Sequence, residues 1–385
     1  MYRFRAKSNI VLSVLSVLAL LAFIAVENGK VDVKQEWYQE KLDAAELSQL
    51  ASNQLKSHRL ENGIFIDVIN DPNQTALIGQ EFTMITTDRG DIDAKLSSTN
   101  PNFAAVIVQL LKDADLEEGD KVAIAFTGSF PALNISVLAA IETLDLDPII
   151  ITSVGASNFG ANDPNFTWLD MEHVLYQSNV FHHRSVAASI GGGQDIGRGL
   201  SPEGRQLITD AIKRNDMEFI DENHLENSIS RRLDIYEKHS KGKPVKAFIN
   251  VGGGIASLGN TINGKLIQPG LTEYLPMRNF PVKGVIIEMG QKGIPILHLL
   301  NIRKLLAEFD LPGSPVPLPA PGDGGIFTQK KYSLLVTAIA TFILVLVIIL
   351  VYISERKHHQ LGSDVVAFTE KQKTHQHEAE DVPVL

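Results

Sequence analysis

The chain contains no cysteine, which excludes disulfides, a thiolate nucleophile and a zinc–thiolate site. That composition suits a domain exported by a bacterium. Positive charge is also in short supply, with 35 Lys and Arg against 45 Asp and Glu and a net charge of −10. An acidic body argues against nucleic acid as a partner, and it repels other polyanions except at a local basic pocket. Several chemical signatures are missing as well. No G-x-x-x-x-G-K-[ST] loop occurs and no G-x-G-x-x-G follows a strand-like run, so nucleotide binding has no support; H-E-x-x-H and EF-hand patterns are absent too. The G-x-S-x-G elbow of serine hydrolases is also absent. No metal and no cofactor is expected.

What the chain does have is two long uncharged apolar runs, Ser8 to Val26 and Ser333 to Ile353, of 19 and 21 residues. At ~1.5 Å per helical residue each is long enough for the ~30 Å core of a bilayer. A cut after Ala25 would place Phe23 where signal peptidase needs a small residue, and the run exceeds a signal-peptide core, so an uncleaved anchor is expected. Arg3, Arg5 and Lys7 precede the first run. Arg356, Lys357, Lys371 and Lys373 follow the second, against Lys330 and Lys331 before it. This bias puts both ends in the cytoplasm and the middle outside. Residues 1–7 are then a cytoplasmic N-terminus, 8–26 and 333–353 are transmembrane helices, and 354–385 is a polar cytoplasmic tail. The His358, His359, His375 and His377 of that tail read as a solvated segment rather than a metal site.

Between the anchors the periodicity alternates between strand and helix. Residues 27–62 are polar and helical, with Leu42, Ala45, Leu47, Leu50, Ala51 and Leu55 on one face. Two readings fit: a stalk leaving the membrane, which sets a domain boundary at 62, or the first helix of the globular domain. Residues 63–311 read as an α/β domain with a mainly parallel sheet and flanking helices. Its clearest unit is a strand over Lys121 to Phe126, a turn at Thr127-Gly128-Ser129-Phe130, a helix opened by Pro131, and a strand from Ile149 to Val154. Asn100 and Pro101 read as the cap and first residue of a preceding helix, and Ser201-Pro202 starts another. Further strands are expected at Ala247 to Val251 and Gly284 to Glu288, with a helix from Leu297 to Phe309. Residues 312–332, which open with five Pro and four Gly between Pro312 and Gly325, read as a linker.

In a parallel sheet the loops after the strand ends gather on one edge, where ligands bind. Three Gly-bearing loops belong there: Thr127-Gly128-Ser129, Gly191-Gly192-Gly193 with Asp195 and Arg198 behind it, and Gly252-Gly253-Gly254. Amides exposed by glycine form anion nests. The expected ligand is therefore a carboxylate or phosphate held by Thr127, Gly128, Ser129, Asn134, Gly192, Gly193, Asp195, Gly252 and Gly253, with Arg198 as countercharge. The same glycines also serve simply as tight turns. For catalysis the weak candidates are Ser129, which reads equally as a cap, and Asp163, Asp170 and His173 in a long loop that also holds Glu172. His182-His183-Arg184 is a weaker candidate, and Arg89-Gly90-Asp91 reads as a chance tripeptide.

The runs Ser98-Thr99-Asn100-Pro101-Asn102-Phe103, Thr127-Gly128-Ser129-Phe130-Pro131-Ala132-Leu133-Asn134, Ser153-Val154-Gly155-Ala156-Ser157 through Trp168-Leu169-Asp170, and Asp195-Ile196-Gly197-Arg198-Gly199-Leu200-Ser201 resemble the bacterial poly-gamma-glutamate system protein family. The likeness covers about Ile64 to Phe309. It implies a membrane-anchored accessory component of poly-γ-glutamate synthesis or export in the plasma membrane, with the polymer or its ligase and membrane subunits as partners. The alternative is an extracytoplasmic hydrolase or transferase that trims the polymer. The resemblance carries no catalytic residues, and the second apolar run and tail lie outside it.

Overall fold

A computed structural model describes residues 9–354 together with Arg356 and Phe368; the segment 1–7 and most of the tail after Ser354, with its four histidines, lie outside the described residues. The chain divides into two compact units, one made from its two ends and one from Lys34–Thr328. In the first, the helices Asn9–Asn28 and Leu334–Ser354 are long and apolar enough to cross a membrane. Short strands over Lys30–Lys34 and Thr328–Tyr332 pair with each other.

The second unit is built on a seven-stranded sheet. Its strands are β1 (Lys121–Thr127), β2 (Asp147–Ser153), β3 (Ala187–Ser189), β4 (Glu218–Ile220), β5 (Val245–Val251), β6 (Gly270–Thr272) and β7 (Ile296–Leu299). They lie in the order β6-β7-β5-β1-β2-β3-β4. All neighbours are parallel except β6, which runs antiparallel to β7. Every residue of β1 is buried, and its apolar stretch over 122–126 suits the central strand of a doubly covered sheet. Successive side chains then feed two cores. Val122, Ile124 and Phe126 join one cluster and Ala123 and Ala125 the other. Helices α1 (Tyr38–Glu61), α2 (Phe103–Asp113) and α3 (Pro131–Thr143) cover the first face, and α4 (Leu225–Ser240) and α5 (Val285–Gln291) the second. The strand order reverses between β1 and β5, and the crevice at such a reversal is where open α/β sheets bind ligands.

Four boundaries differ from expectation. The stalk over 27–62 is a short strand followed by α1, whose Ala44, Ala45, Ala51 and Leu55 are completely buried in the first core. Burying a leucine alone contributes roughly 1.5–3 kcal/mol, so α1 belongs to the domain. The linker over 312–332 is likewise folded: Ile326 and Phe327 enter the same core, which also holds Leu311 just before it. The Asn102 side chain there holds the carbonyls of Ala320 and Asp323 at 2.9 and 3.1 Å. The Gly284 to Glu288 strand is the start of α5, and the next strand is β7, inside the segment read as a helix from Leu297. Short apolar runs beside glycine do not separate buried helix from buried strand. Lastly, α2 starts at Phe103 because the Asn100 carboxamide accepts from Asn102 N at 3.0 Å and holds a turn, whereas Ser201 caps its helix through Gly204 N at 3.0 Å, as its spacing predicts.

Candidate functional site

The turn after β1 is held by close backbone approach. Gly128 N donates to Ser153 O at 2.9 Å and Gly128 O accepts from Ala161 N at 2.7 Å. A Cβ on Gly128 would lie 2.3 Å from Val154 O, so only glycine lets the two strand ends come this close. Ser129 Oγ accepts from Ser157 N at 3.0 Å, and Asn134, fully buried, donates to Thr127 O at 3.0 Å. After β5, Gly252 N donates to Leu299 O at 3.0 Å. Its φ of +78° and the Thr127 Oγ1 only 2.8 Å from where its Cβ would sit again require glycine.

These loops, with the one after β3, converge on a cavity of about 570 Å³ lined by Thr127, Ser129, Gly192, Gly193, Gly253 and Gly254. The expected meeting of the three glycine loops is what the fold produces. Gly128, Asn134 and Gly252 do not line the cavity; they set the positions of residues that do.

The charges differ from expectation. Arg198 is exposed and outside the lining; its amide closes the loop onto Gly193 O at 3.0 Å while its side chain is not part of the cavity. Asp195 is turned inward, with 4 % of its surface exposed, and pairs with the buried Arg232 at 3.1 Å, with Ser189 and Ser228 hydroxyls donating to it. It is part of the scaffold beneath the loop. The basic groups that do line the cavity are Arg89, Lys95 and Arg303. Arg303 lies 3.2 Å from Asp91 and 3.4 Å from Asp93 at the exposed rim. Arg89 makes no ion pair among the described residues.

Lys95 sits on a helix over Ile92–Ser98, N-capped by Asp91 through Asp93 N at 3.0 Å. Only 2 % of it is exposed. Its Nζ donates to Ser157 Oγ at 2.9 Å and to Ser129 O, and stands 4.0 Å from the Phe130 ring centre. Burial pushes its ammonium down to about 7, with Asp91 opposing. Ser157 lines the same wall. Sequence reasoning missed Arg89, Lys95, Ser157 and Arg303. The Arg89-Gly90-Asp91 tripeptide lines the cavity, but nothing in its sequence points there, and nothing local in Ile92-Asp93-Ala94-Lys95 announces that the lysine is buried.

Asp163, Asp170 and His173 do not line the cavity. Asp163 faces Arg59 at 4.0 Å, and Asp170 closes a capping box with Thr167 and pairs with Arg214 at 2.6 Å. His182 pairs with Glu142 at 2.9 Å. Among the described residues no group of three or more His, Asp or Glu side chains is placed to hold a metal ion. The long loop is a two-strand hairpin, Asn162–Asp163 with Phe166–Thr167, followed by a helix over Trp168–Gln177. Its Glu172 is buried, accepting from Ser185 N at 2.9 Å and Ser185 Oγ at 3.1 Å, and burial raises its carboxyl to about 7. A carboxyl raised in the fold contributes fully below its ordinary value of 4.5, and that contribution is lost as pH rises through about 7. Glu172→Gln is therefore expected to be near neutral at about pH 5 and to stabilise the protein by about 2 kcal/mol at about pH 8. Urea denaturation at the two pH values checks this, and an equal effect at both contradicts it.

Comparison of the chain with family models, with curated proteins and with solved structures gives no match in any of the three.

Proposed function

We propose that this chain is a membrane-anchored accessory component of poly-γ-glutamate synthesis or export, with both ends cytoplasmic and the Lys34–Thr328 domain outside. In this reading its cavity receives a carboxylate-bearing end of the polymer. The observation that carries the reading is the convergence of three glycine loops and two arginines, Arg89 and Arg303, on one cavity at the strand-order reversal. Support for the polymer comes from the sequence resemblance and from charge. The acidic body repels a polyanion laid along its surface, so an end inserted among amides and guanidinium groups is the favourable mode. The amides of Gly253 and Gly254 donate to no protein acceptor among the described residues, which leaves them for a ligand. A planar guanidinium matches a carboxylate with two parallel hydrogen bonds.

The test is calorimetric titration of penta-γ-glutamate into the full chain in lipid nanodiscs. Arg89→Gln is expected to weaken binding about tenfold, or ~1.4 kcal/mol. Arg303→Gln is expected to do less, because Asp91 and Asp93 already share that guanidinium. Amidating the terminal carboxylates of the ligand is expected to abolish binding; equal affinity for the amidated pentamer contradicts the reading.

A further inference from the structure

One pair in the cavity wall is not used by carboxylate recognition. Ser157 Oγ and Lys95 Nζ are 2.9 Å apart, both line the cavity, and Lys95 forms no ion pair among the described residues. The surroundings fix both partners. Ser157 lies on a two-residue strand paired with Thr86–Asp88, and its amide is held by Ser129 Oγ. Lys95 is fixed by the Ser129 carbonyl and the Phe130 face. A serine hydroxyl is a weak nucleophile until an adjacent base takes its proton. A lysine becomes that base when a dry site favours its neutral form.

We propose that Ser157 and Lys95 form a nucleophile and general-base pair that cleaves an amide bond of a carboxylate-bearing chain seated in the cavity. This rests on the reading of the cavity given above and adds a reaction to it. Neutral Lys95 takes the Ser157 proton as Oγ bonds to the amide carbon, giving a tetrahedral oxyanion. The C–N bond then breaks, and Lys95 hands that proton to the departing amine. Water next attacks the acyl ester and gives a proton to Lys95. The Oγ–C bond breaks, the proton returns to Ser157, and the products are a carboxylic acid and an amine, which exchange a proton to leave as carboxylate and ammonium. Burial has already brought the Lys95 ammonium to about 7, so a neutral fraction exists near neutrality. The charged groups sharing the cavity with it are Asp88, Arg89, Asp91 and Arg303. Of these, Asp91 holds the proton on Lys95 against the burial that drives it off.

The experiment treats the full chain in nanodiscs with a fluorophosphonate probe and locates the adduct by peptide mass mapping, with the length of penta-γ-glutamate followed in parallel. Labelling at Ser157 is expected, rising with pH through about 7. Lys95→Met and Lys95→Arg are expected to slow it at least a hundredfold, as loss of a general base does, while thermal melting shows a folded domain. Ser157→Ala is expected to stop pentamer shortening. An unlabelled Ser157 together with an intact pentamer, in a protein that still binds that pentamer, overturns the proposal while leaving the binding reading standing. Labelling of equal rate in Lys95→Met overturns the pairing. Lys95-dependent labelling in a protein without pentamer affinity supports the pair and contradicts the carboxylate reading instead.

Discussion

Asp195→Ala is expected to lower the unfolding free energy by about 3–5 kcal/mol, the usual cost of stranding one member of a buried ion pair. Arg232, 2 % exposed, places its guanidinium 3.1 Å from Asp195 and 2.6 Å from Ser189 Oγ. With the carboxylate gone, the charge keeps only neutral hydroxyls as partners, and the left-handed backbone of Asp195 (φ 64°) loses the side-chain bonds that hold it. The double variant Asp195→Leu with Arg232→Met is expected to recover much of the loss, because it removes both charges rather than one. Guanidinium denaturation of the three proteins measures this; a double variant less stable than Asp195→Ala sinks the assignment of Asp195 to the scaffold.

Lys95→Met is expected to act in the opposite direction, raising stability by about 3 kcal/mol at pH 6 to 7 while removing the nucleophile's base. The folded value of Lys95, about 7, lies below its ordinary 10.5. The unfolded chain therefore binds the proton more tightly across that window, so stability climbs as pH rises from about 7 to 10.5 and is lowest below it. Methionine fills a similar volume without a charge to desolvate. The gain is expected to shrink as pH rises and to vanish only above about 10.5, where the wild-type lysine is neutral in both states. Thermal melts of both proteins across pH 6 to 10 check the sign. A destabilised variant at every pH contradicts the account of Lys95 as a buried, energetically costly group, which is the kind of cost found at functional sites.

The parts of this protein that sequence reveals are those decided within a few residues. The apolar runs, the β1 strand with its glycine turn and the Pro131 helix, and the Ser201 cap are all of this kind. The glycine loops were legible for a further reason: strand ends in a parallel sheet share an edge, so Thr127, Ser129, Gly192, Gly193 and Gly253 meet without knowledge of the rest. What escaped depends on distant partners. α1 looks like a stalk until α2 and α3 are known to cover its alanine face, and the proline-rich segment looks loose until Phe327 is placed in the core. Arg198 looked like the countercharge because it is near in sequence, whereas the groups that reach the cavity, Arg89, Lys95 and Arg303, come from segments outside the glycine loops. Asp170 reads as a candidate because it shares a loop with Asp163 and His173, whereas its partner, Arg214, lies 44 residues away and pairs with it outside the cavity.

The most direct measurement of the central claim is an experimental structure of the full chain with saturating penta-γ-glutamate. The account predicts a terminal carboxylate inside the cavity, within about 2.7–3.2 Å of the Arg89 guanidinium or of the Gly253 and Gly254 amides. A pentamer bound on the outer surface, with the cavity empty at saturation, would contradict it.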